Sequence, residues 1–458
     1  MKLPEKFLTE FKVLMTADEF VEFVASFDCE RTYGIRVNTL KISCKEFEKI
    51  APFDIFKVPW TRDGYYISSS AHPGLHPYYH AGLYYIQDPS AMFPGKVVEA
   101  KAGERILDLC AAPGGKSIQV ASGLKERGIL VSNDVSNGRI SSLMKNIELY
   151  GVRNSVITND YPKDLLKCFP IYFDKILVDA PCSGEGMFRK DTKEVSSWES
   201  YKSDKCVSIQ KEILECSYGM LKAGGTIVYS TCTYNPNENE RVVEWFLGKF
   251  PDTSLVNIEK VAGMESGRTE WTKNNTDMSG TARMWPHKLK GEGHFTAKII
   301  KSGILEKNTF SDTFEFECTD ELKPFSDFLD CRPKIKSLLN GKIVYRNGNV
   351  HLVDSSLKLS GLKVKKTGWY LGEIKHSKFI PSQAFLMGLF GSDFGDVINY
   401  PVDDISVQKY LKGETLISEG EKGIVPISVD GYLLGWGNRV GSTVKNMYPK
   451  GWTKVREY

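Results

Sequence analysis

Two cysteines and one aspartate stand where two strand-like segments end. The apolar run 176–178 leads into Asp179 and Cys182, and a proline and two glycines beside that cysteine force a turn. A second strand-like run, 226–230, leads into Cys232. One such cysteine is better explained as an inert core thiol, but two in the same setting indicate a reaction centre. Open α/β sheets bind their ligands at this C-terminal edge of the strands.

A loop of small residues precedes these segments. It follows the strand-like run 105–109 and leads into a helical pattern, so its backbone N–H groups are open to a ligand. Its glycine spacing does not match a phosphate-binding ATPase loop. We take the whole loop as candidate binding residues: Cys110, Ala111, Ala112, Pro113, Gly114, Gly115 and Lys116.

Three aspartates, Asp134, Asp160 and Asp179, end successive strand-like segments. Each alone is explained as a helix cap or turn residue, but together at one sheet edge they suit a nucleoside-bearing cofactor. Asp134 stands 20 residues after Gly114, where a Rossmann-like sheet carries its ribose-binding acid. These acids leave a nicotinamide and a methyl donor equally open.

The paired thiols distinguish between those cofactors. A thiolate adds to an electron-poor ring, and its addition to cytosine or uracil makes C5 carbanion-like and ready to take a methyl group. The neighbouring Asp179 can hydrogen-bond the ring and stabilise the charge that develops on it. The second thiol or a water can then remove the C5 proton. Hydride transfer needs none of these groups, so methyl transfer to a pyrimidine is favoured.

Alternating strands and helices must position these residues. Between about residues 96 and 300 the apolar pattern repeats as βαβ units, which predicts a largely parallel, doubly wound α/β sheet. In such a sheet the strand-end acids and both cysteines share one edge.

Longer motifs surround the candidate residues, at 107–117 (LDLCAAPGGKS), 179–184 (DAPCSG) and 230–234 (STCTY). They resemble the RNA cytosine-C5 methyltransferases of the NOL/NOP/Sun type over about residues 86–300. Segments that resemble other motifs of that family are 36–40, 87–90, 283–287 and 291–295. The segments 368–372, 435–437 and 445–451 resemble the C-terminal extension of the bacterial small-subunit ribosomal RNA methyltransferase F group, which ends in a PUA-like RNA-binding module.

The resemblance implies a role for each matching residue. The loop from Cys110 to Lys116, with Asp134, Asp160 and Asp179, is expected to contact S-adenosylmethionine or lie beside it. Cys232 is the expected nucleophile, Cys182 assists release of the product, and Asp179 also hydrogen-bonds the cytosine. DNA cytosine methyltransferases use the Pro-Cys thiol instead, and the residues alone leave that choice open.

The implied activity is S-adenosylmethionine-dependent methylation of cytosine C5 in RNA through a covalent Cys232–cytosine intermediate. The expected substrate is 16S ribosomal RNA, with tRNA as the alternative, and the target base must be single-stranded, looped or flipped out. A DNA substrate is disfavoured by the C-terminal module. A non-catalytic RNA-binding scaffold is disfavoured by the presence of both cysteines with Asp179. A nucleotide-dependent oxidoreductase is disfavoured by the loop spacing.

Composition bounds the class of protein. The 458 residues are 41% apolar and 26% charged, which is typical of a globular chain. The ten cysteines contain no Cys-x-x-Cys pair, so we expect neither a disulfide scaffold nor a metal site. The sequence shows no signal peptide and no run of about 18 apolar residues. We therefore expect a cytoplasmic monomer that does not contact a membrane.

We divide the chain into an N-terminal RNA-binding lobe (1–95), a Rossmann-like methyltransferase domain (96–301), a small basic intermediate domain (321–388) and a PUA-like RNA-binding domain (389–458). Basic residues cluster at 332–366 and 439–458. Either patch alone is better explained as solvated surface charge, but two patches interleaved with aromatic residues favour an RNA or DNA surface. Two further pairs leave a functional and a structural explanation equally open: Arg189 with Lys190 as RNA contacts or surface charge, and His287 with His294 as family motif residues or strand-end packing.

Overall fold

The computed structural model describes residues 1–190, 195, 198, 203–261, 263–310, 314–354 and 357–453. The helices within these ranges are α1 Glu5–Leu14, α2 Ala17–Ser26, α3 Cys44–Ile50, α4 Pro77–His80, α5 Met92–Val98, α6 Gly115–Leu124, α7 Asn137–Leu149, α8 Pro162–Cys168, α9 Ser203–Met220, α10 Glu240–Lys249, α11 Lys323–Asp330, α12 Pro333–Ser337, α13 Gln383–Met387 and α14 Ile405–Leu411. The strands are β1 Tyr33–Val37, β2 Ile55–Lys57, β3 Gly64–Ile67, β4 Tyr84–Ile86, β5 Glu104–Asp108, β6 Gly128–Asn133, β7 Ser155–Thr158, β8 Phe173–Asp179, β9 Leu221–Thr231, β10 Thr253–Val256, β11 Ala282–Met284, β12 His294–Lys301, β13 Phe314–Glu315, β14 Gly341–Arg346, β15 Asn349–Val353, β16 Val364–Thr367, β17 Trp369–Lys375, β18 Lys378–Pro381, β19 Ile398–Tyr400, β20 Leu416–Ile417, β21 Gly423–Val429, β22 Tyr432–Val440 and β23 Thr443–Asn446.

A Rossmann-like sheet forms the centre of the molecule. Its strand order is β10-β12-β9-β8-β5-β6-β7-β16, with β11 paired to β12. The inner strands β9, β8, β5, β6 and β7 are parallel, so their C-terminal ends meet at one edge. This confirms the predicted α/β sheet and brings the strand-end acids and cysteines to a common edge.

Apolar side chains on both faces of this sheet explain why it is buried. Ile106 and Leu177 pack on one face against the helices α6 and α7, and Leu107 and Val178 pack on the other face. Fully burying such a side chain contributes about 1.5–3 kcal/mol. Parallel strands covered on both faces have the near-continuous apolar sequences seen here.

The edge strand β16 was not anticipated. It pairs antiparallel with β7, with Val364 opposite Thr158, although the sequence assigned residues 321–388 to a separate basic domain. Lys366 in this strand is buried, and burial lowers its pKa to about 8. The intermediate domain therefore supplies a strand to the methyltransferase sheet, and this basic residue is not part of an RNA-binding surface.

The two ends of the chain share one hydrophobic core. The N-terminal sheet, β2-β3-β1-β4, and the C-terminal sheet, β19-β21-β22-β23-β20, bury Tyr84 and Tyr410 in the same cluster. Tyr78 also donates a hydrogen bond to Asp430 Oδ2 (2.7 Å). The sheet β13-β14-β15-β17-β18 joins the C-terminal sheet through a cluster that contains Trp369 and Trp436.

The C-terminal basic cluster is smaller than its sequence indicates. Arg439 is buried and pairs with Asp396 (2.7 Å), so it does not face solvent. Lys454 and Arg456 lie outside the described residues. Within the described ranges, no helix has the length and apolar character needed to cross a membrane.

Candidate active site

Asp179 ends β8 and lies at the centre of the strand-end edge. Its Oδ2 accepts a hydrogen bond from Lys116 Nζ (2.6 Å), and its Oδ1 accepts one from Ser230 Oγ (2.8 Å). Burial alone would raise the pKa of Asp179, but the Lys116 ammonium and the nearby His294 hold it well below its usual range. The carboxylate is thus ionised at neutral pH, and with 30% of its side chain exposed it can accept a hydrogen bond from a ligand.

The two candidate cysteines meet in front of this carboxylate. Cys182 Sγ and Cys232 Sγ are 3.4 Å apart. The hydrogen bond with Cys232, together with burial, raises the pKa of Cys182 well above its usual value. Burial would lower the pKa of Lys116, but Asp179 and then Cys232 reverse that effect and raise it. The site therefore holds a protonated thiol, Cys182, and an ammonium group close to Cys232.

Hydrogen bonds fix the relative positions of the two cysteine loops. Ser183 Oγ lies 2.7 Å from Thr233 Oγ1, and the Gly186 N–H donates to the Cys232 carbonyl (2.8 Å). Glu238 accepts a hydrogen bond from the Ser183 N–H (3.1 Å). One contact between backbone atoms and two that involve buried side chains thus hold the loops together and fix the separation of the thiols.

Glu185 is buried between the two loops. Its Oε2 accepts hydrogen bonds from Thr233 Oγ1 (2.7 Å) and the Tyr234 N–H (2.9 Å), and its Oε1 accepts one from Trp198 Nε1 (3.2 Å). Burial outweighs these hydrogen bonds and raises the pKa of Glu185 to about 7. The sequence analysis missed this residue because its partners are separated from it along the chain, although a carboxylate so close to Cys182 was a visible signal.

Replacing Glu185 with glutamine should change how stability depends on pH. Because the folded state has the higher pKa, the stabilising contribution of Glu185 is fully present below about pH 4.5 and is lost as the pH rises through about 7. Glutamine has no such loss, so Glu185→Gln should gain on the order of 3 kcal/mol relative to wild type between these limits, at about 1.4 kcal/mol per pKa unit. Urea unfolding across this pH range measures the difference.

The exposed Glu317 provides a matched control for that experiment. Glu317→Gln should differ from wild type by an amount that does not change with pH. A difference between Glu185→Gln and wild type that is equally flat would contradict the burial argument.

The candidate cofactor loop, residues 110–116, bends sharply before α6. Gly114 has a φ of +111°, and a Cβ atom there would lie 3.0 Å from Leu143 Cδ1. Asp134 Oδ2 accepts a hydrogen bond from the Ala112 N–H (3.1 Å), so this acid also shapes the loop. Burial, followed by the nearby aspartates, raises the pKa of Cys110 well above its usual value, which leaves that thiol neutral.

Two residues of the N-terminal lobe hold the same loop. Arg36 Nη2 donates to the Gly115 carbonyl (2.7 Å), and Arg36 Nε donates to Gln87 Oε1 (3.1 Å). Both belong to segments that the sequence analysis identified as family motifs. Their contacts show that this lobe positions the loop.

The surroundings of Asp108 favour a positively charged ligand in this site. It is buried at the end of β5, where its Oδ2 accepts a hydrogen bond from Ser117 Oγ (2.6 Å). Its Oδ1 has no hydrogen-bond partner among the described residues, and burial raises its pKa to about 7. A cation with N–H donors would pair with this oxygen, and S-adenosylmethionine carries a sulfonium and an ammonium group. Asp108 was also missed, although it ends a strand like the other three acids.

Asp160 lies at the same edge but is engaged by another part of the chain. Its two carboxylate oxygens accept hydrogen bonds from the Lys363 N–H (3.2 and 3.0 Å), just before β16. Burial raises its pKa. Its predicted contact with the cofactor stays a prediction, because this carboxylate already serves to dock β16.

The two candidate RNA contacts after the Cys182 loop differ. Arg189 Nε donates to Glu292 Oε2 (2.7 Å), and both side chains are only 6% exposed. Arg189 is thus a buried structural residue, which corrects its interpretation as an RNA contact or a surface charge. Lys190 is exposed and remains a candidate.

Four family models match the chain in sequence order. Residues 3–89 match the N-terminal domain of 16S rRNA methyltransferase RsmF, and residues 96–300 match 16S rRNA methyltransferase RsmB/F. Residues 327–389 match the RsmF rRNA methyltransferase first C-terminal domain, and residues 397–454 match the methyltransferase RsmF PUA domain.

Similar proteins support these matches. Ribosomal RNA small subunit methyltransferase F of Vibrio vulnificus (strain YJ016) is 30% identical over 98% of this chain and 97% of its own length. The protein of that name from Shewanella loihica is 28% identical over 95% of this chain and 91% of its own. A methyltransferase homologue from Pyrococcus horikoshii aligns with a TM-score of 0.57 at 28% identity, covering 65% of this chain and 95% of its own. The resemblance inferred from the motifs is confirmed.

Proposed function

The chain belongs to the ribosomal RNA small subunit methyltransferase F family, and on that premise we propose that it transfers a methyl group from S-adenosylmethionine to C5 of a cytosine in 16S ribosomal RNA. The observation that carries the proposal is the pair of thiols 3.4 Å apart beside an ionised Asp179. A pyrimidine ring that contacts Asp179 would present C6 to one of these sulfur atoms.

Cys232 is the proposed nucleophile. The raised pKa of Cys182 keeps that thiol protonated, whereas the Lys116 ammonium close to Cys232 would stabilise a thiolate there. Its sulfur bonds to C6 while the ring takes up a proton at N3, and Asp179 accepts a hydrogen bond from the exocyclic amino group. These groups would hold the base during methyl transfer to C5.

Cys182 is the proposed group for product release. Once Cys232 is bonded to the ring, the hydrogen bond that chiefly raises the pKa of Cys182 is gone. Once Cys182 has given its own proton to water, its thiolate, or a water beside it, can accept the C5 proton, the C6–S bond breaks, and the ring returns its extra proton.

The strand-end acids and the loop are the proposed binding site for S-adenosylmethionine, which supplies an electrophilic methyl group when bound. Residues 110–116 would contact it through backbone N–H groups, and Asp134 and Asp160 would lie beside its nucleoside. The unpaired Asp108 Oδ1 and the ionised Asp179 suit its positive charges.

We propose that residues 1–95 and 389–458 together bind RNA beside the catalytic domain (96–301), with the intermediate domain (321–388) preceding the second of them in the chain. The core that the two chain ends share would give them one fixed spacing. Because a single chain supplies the thiols, the acids and the loop, we propose a monomer. It would act in the cytoplasm without membrane contact.

Labelled S-adenosylmethionine tests this function. Wild type would be incubated with unmethylated 16S ribosomal RNA, free or in small subunits, and with tRNA, and the nucleosides would be separated after digestion. Label should appear in 5-methylcytidine from 16S ribosomal RNA, and Asp179→Asn should lose it. Label in tRNA alone would show that tRNA is the substrate. Label in a nucleoside other than 5-methylcytidine would contradict the proposed reaction at cytosine C5.

A further inference from the structure

His294, the first residue of β12, is a buried imidazole beside the reaction centre. Its side chain is 4% exposed, and its Nδ1 lies 3.1 Å from the Gly293 carbonyl oxygen. Because a carbonyl oxygen only accepts hydrogen bonds, Nδ1 must carry a proton. Nε2 lies 3.6 Å from Asp179 Oδ1 and has no hydrogen-bond partner within the part of the chain that the structure describes.

Asp179 cannot itself supply a proton to the substrate. Burial opposes its ionisation, but Lys116 and His294 keep the pKa of this carboxyl well below its usual range. Ser230 donates to the same oxygen that Nε2 faces. The carboxylate can accept and relay a proton, but another group must store it.

The proposed reaction requires such a store. When the Cys232 sulfur bonds to C6, the C5–C6 electron pair shifts to C4–C5 and the C4–N3 pair shifts to N3, which takes up a proton. That proton must be recovered after release of the product. Lys116 is held in its ion pair with Asp179, and Cys182 is proposed for the C5 proton. Imidazole is the side chain that normally gains and loses a proton near neutral pH.

We propose that His294 is a positioning residue that stores at Nε2 the proton passed through Asp179 to N3 of the cytosine. The role rests on the proposed function. During addition, the proton moves from Nε2 to Asp179 Oδ1, and the carboxyl group so formed then passes it to N3, which leaves a neutral imidazole and an ionised Asp179. After methyl transfer to C5, the C5 proton leaves to the thiolate of Cys182 or to water, the C6–S bond breaks, and N3 returns its proton along the same path.

Charged or titratable groups on the elements around the start of β12 could influence the pH dependence. They are Asp179 at the end of β8, Lys116 in α6, Cys232 after β9, and Arg189 with its partner Glu292 in the preceding turn. The experiment must therefore compare variants that leave all of these groups in place.

The test measures the rate of covalent adduct formation in a Cys182→Ser background, with saturating S-adenosylmethionine and unmethylated 16S ribosomal RNA, across about pH 5.5–8.5. Adding His294→Asn should slow adduct formation roughly 100-fold near pH 7 and flatten its pH profile, as expected for loss of acid–base assistance. Dissociation constants for RNA and S-adenosylmethionine should stay unchanged. Free imidazole should restore part of the rate to a His294→Ala variant.

His287 provides the matched control. It is also buried, neither of its ring nitrogens has a hydrogen-bond partner among the described residues, and it packs against Phe23 and Trp285. His287→Asn should keep both the rate and the pH profile. A His294→Asn rate equal to the parent rate, or slowed equally by His287→Asn, overturns the role of His294. If wild type transfers no methyl group at all, that result contradicts the proposed function itself, and the role of His294 is contradicted with it.

Discussion

Cys182→Ser is expected to accumulate a protein–RNA adduct that survives a denaturing gel, whereas Cys232→Ser forms none. With serine at position 182, the side chain next to the adduct is a much weaker base than a thiolate, so the C5 proton stays and the C6–S bond does not break. With serine at position 232, the nucleophile is lost, and methyl transfer should fall by at least about 10⁴-fold. The gel and label incorporation into 16S ribosomal RNA measure the two effects.

Two control variants isolate the attacking thiol. The double variant Cys182→Ser/Cys232→Ser should form no adduct, and Cys331→Ser, which changes an exposed cysteine, should behave as wild type. An adduct that accumulates only in Cys232→Ser would reverse the roles of the two thiols. That reversal would match the Pro-Cys nucleophile of DNA enzymes, the alternative that the sequence leaves open.

The sequence predicted the sheet and most of its functional edge because both follow from local patterns. Apolar runs that end in aspartate mark buried strands, and parallel strands bring their C-terminal ends together, which placed Asp134, Asp160 and Asp179 correctly. Asp108 obeys the same rule.

What the sequence could not predict depends on contacts between distant segments. The sequence of β16 is typical of a basic surface segment. Only its pairing with β7, about 200 residues earlier in the chain, buries Lys366. The buried state of Arg189 depends on Glu292 in the same way. The sequence pattern around His294 did not distinguish a functional histidine from a structural one, because a histidine at the end of a strand packs equally well with or without a carboxylate beside it. Its position relative to Asp179 depends on the tertiary structure.

The ion pair between Lys116 and Asp179 should have the largest single effect on stability. Lys116→Met leaves the Asp179 carboxylate, whose side chain is 30% exposed, without its strongest partner. Breaking a fully buried pair typically costs about 3–5 kcal/mol, so the partial exposure of Asp179 should bring the cost to the lower end of that range. The pH dependence should also weaken. In wild type the pKa of Asp179 is lowered, so its contribution is present above its ordinary value near 3.8 and is lost as the pH falls. In Lys116→Met the effect of burial is opposed by His294 but no longer by the ammonium, so the pKa of Asp179 should rise and less stability should be lost as the pH falls.

The double variant Lys116→Met/Asp179→Asn shows whether the cost comes from the unpaired charge. Urea unfolding without ligand should find the double variant more stable than Lys116→Met alone at neutral pH, because it buries no charge. Lys175→Met is a matched control in the same sheet, since Lys175 also pairs with a carboxylate, that of Glu104 (2.9 Å), yet burial lowers its pKa. If Lys116→Met unfolds like wild type at every pH, the ammonium does not hold Asp179 ionised. That result would contradict the proposal that Asp179 relays a proton that His294 stores.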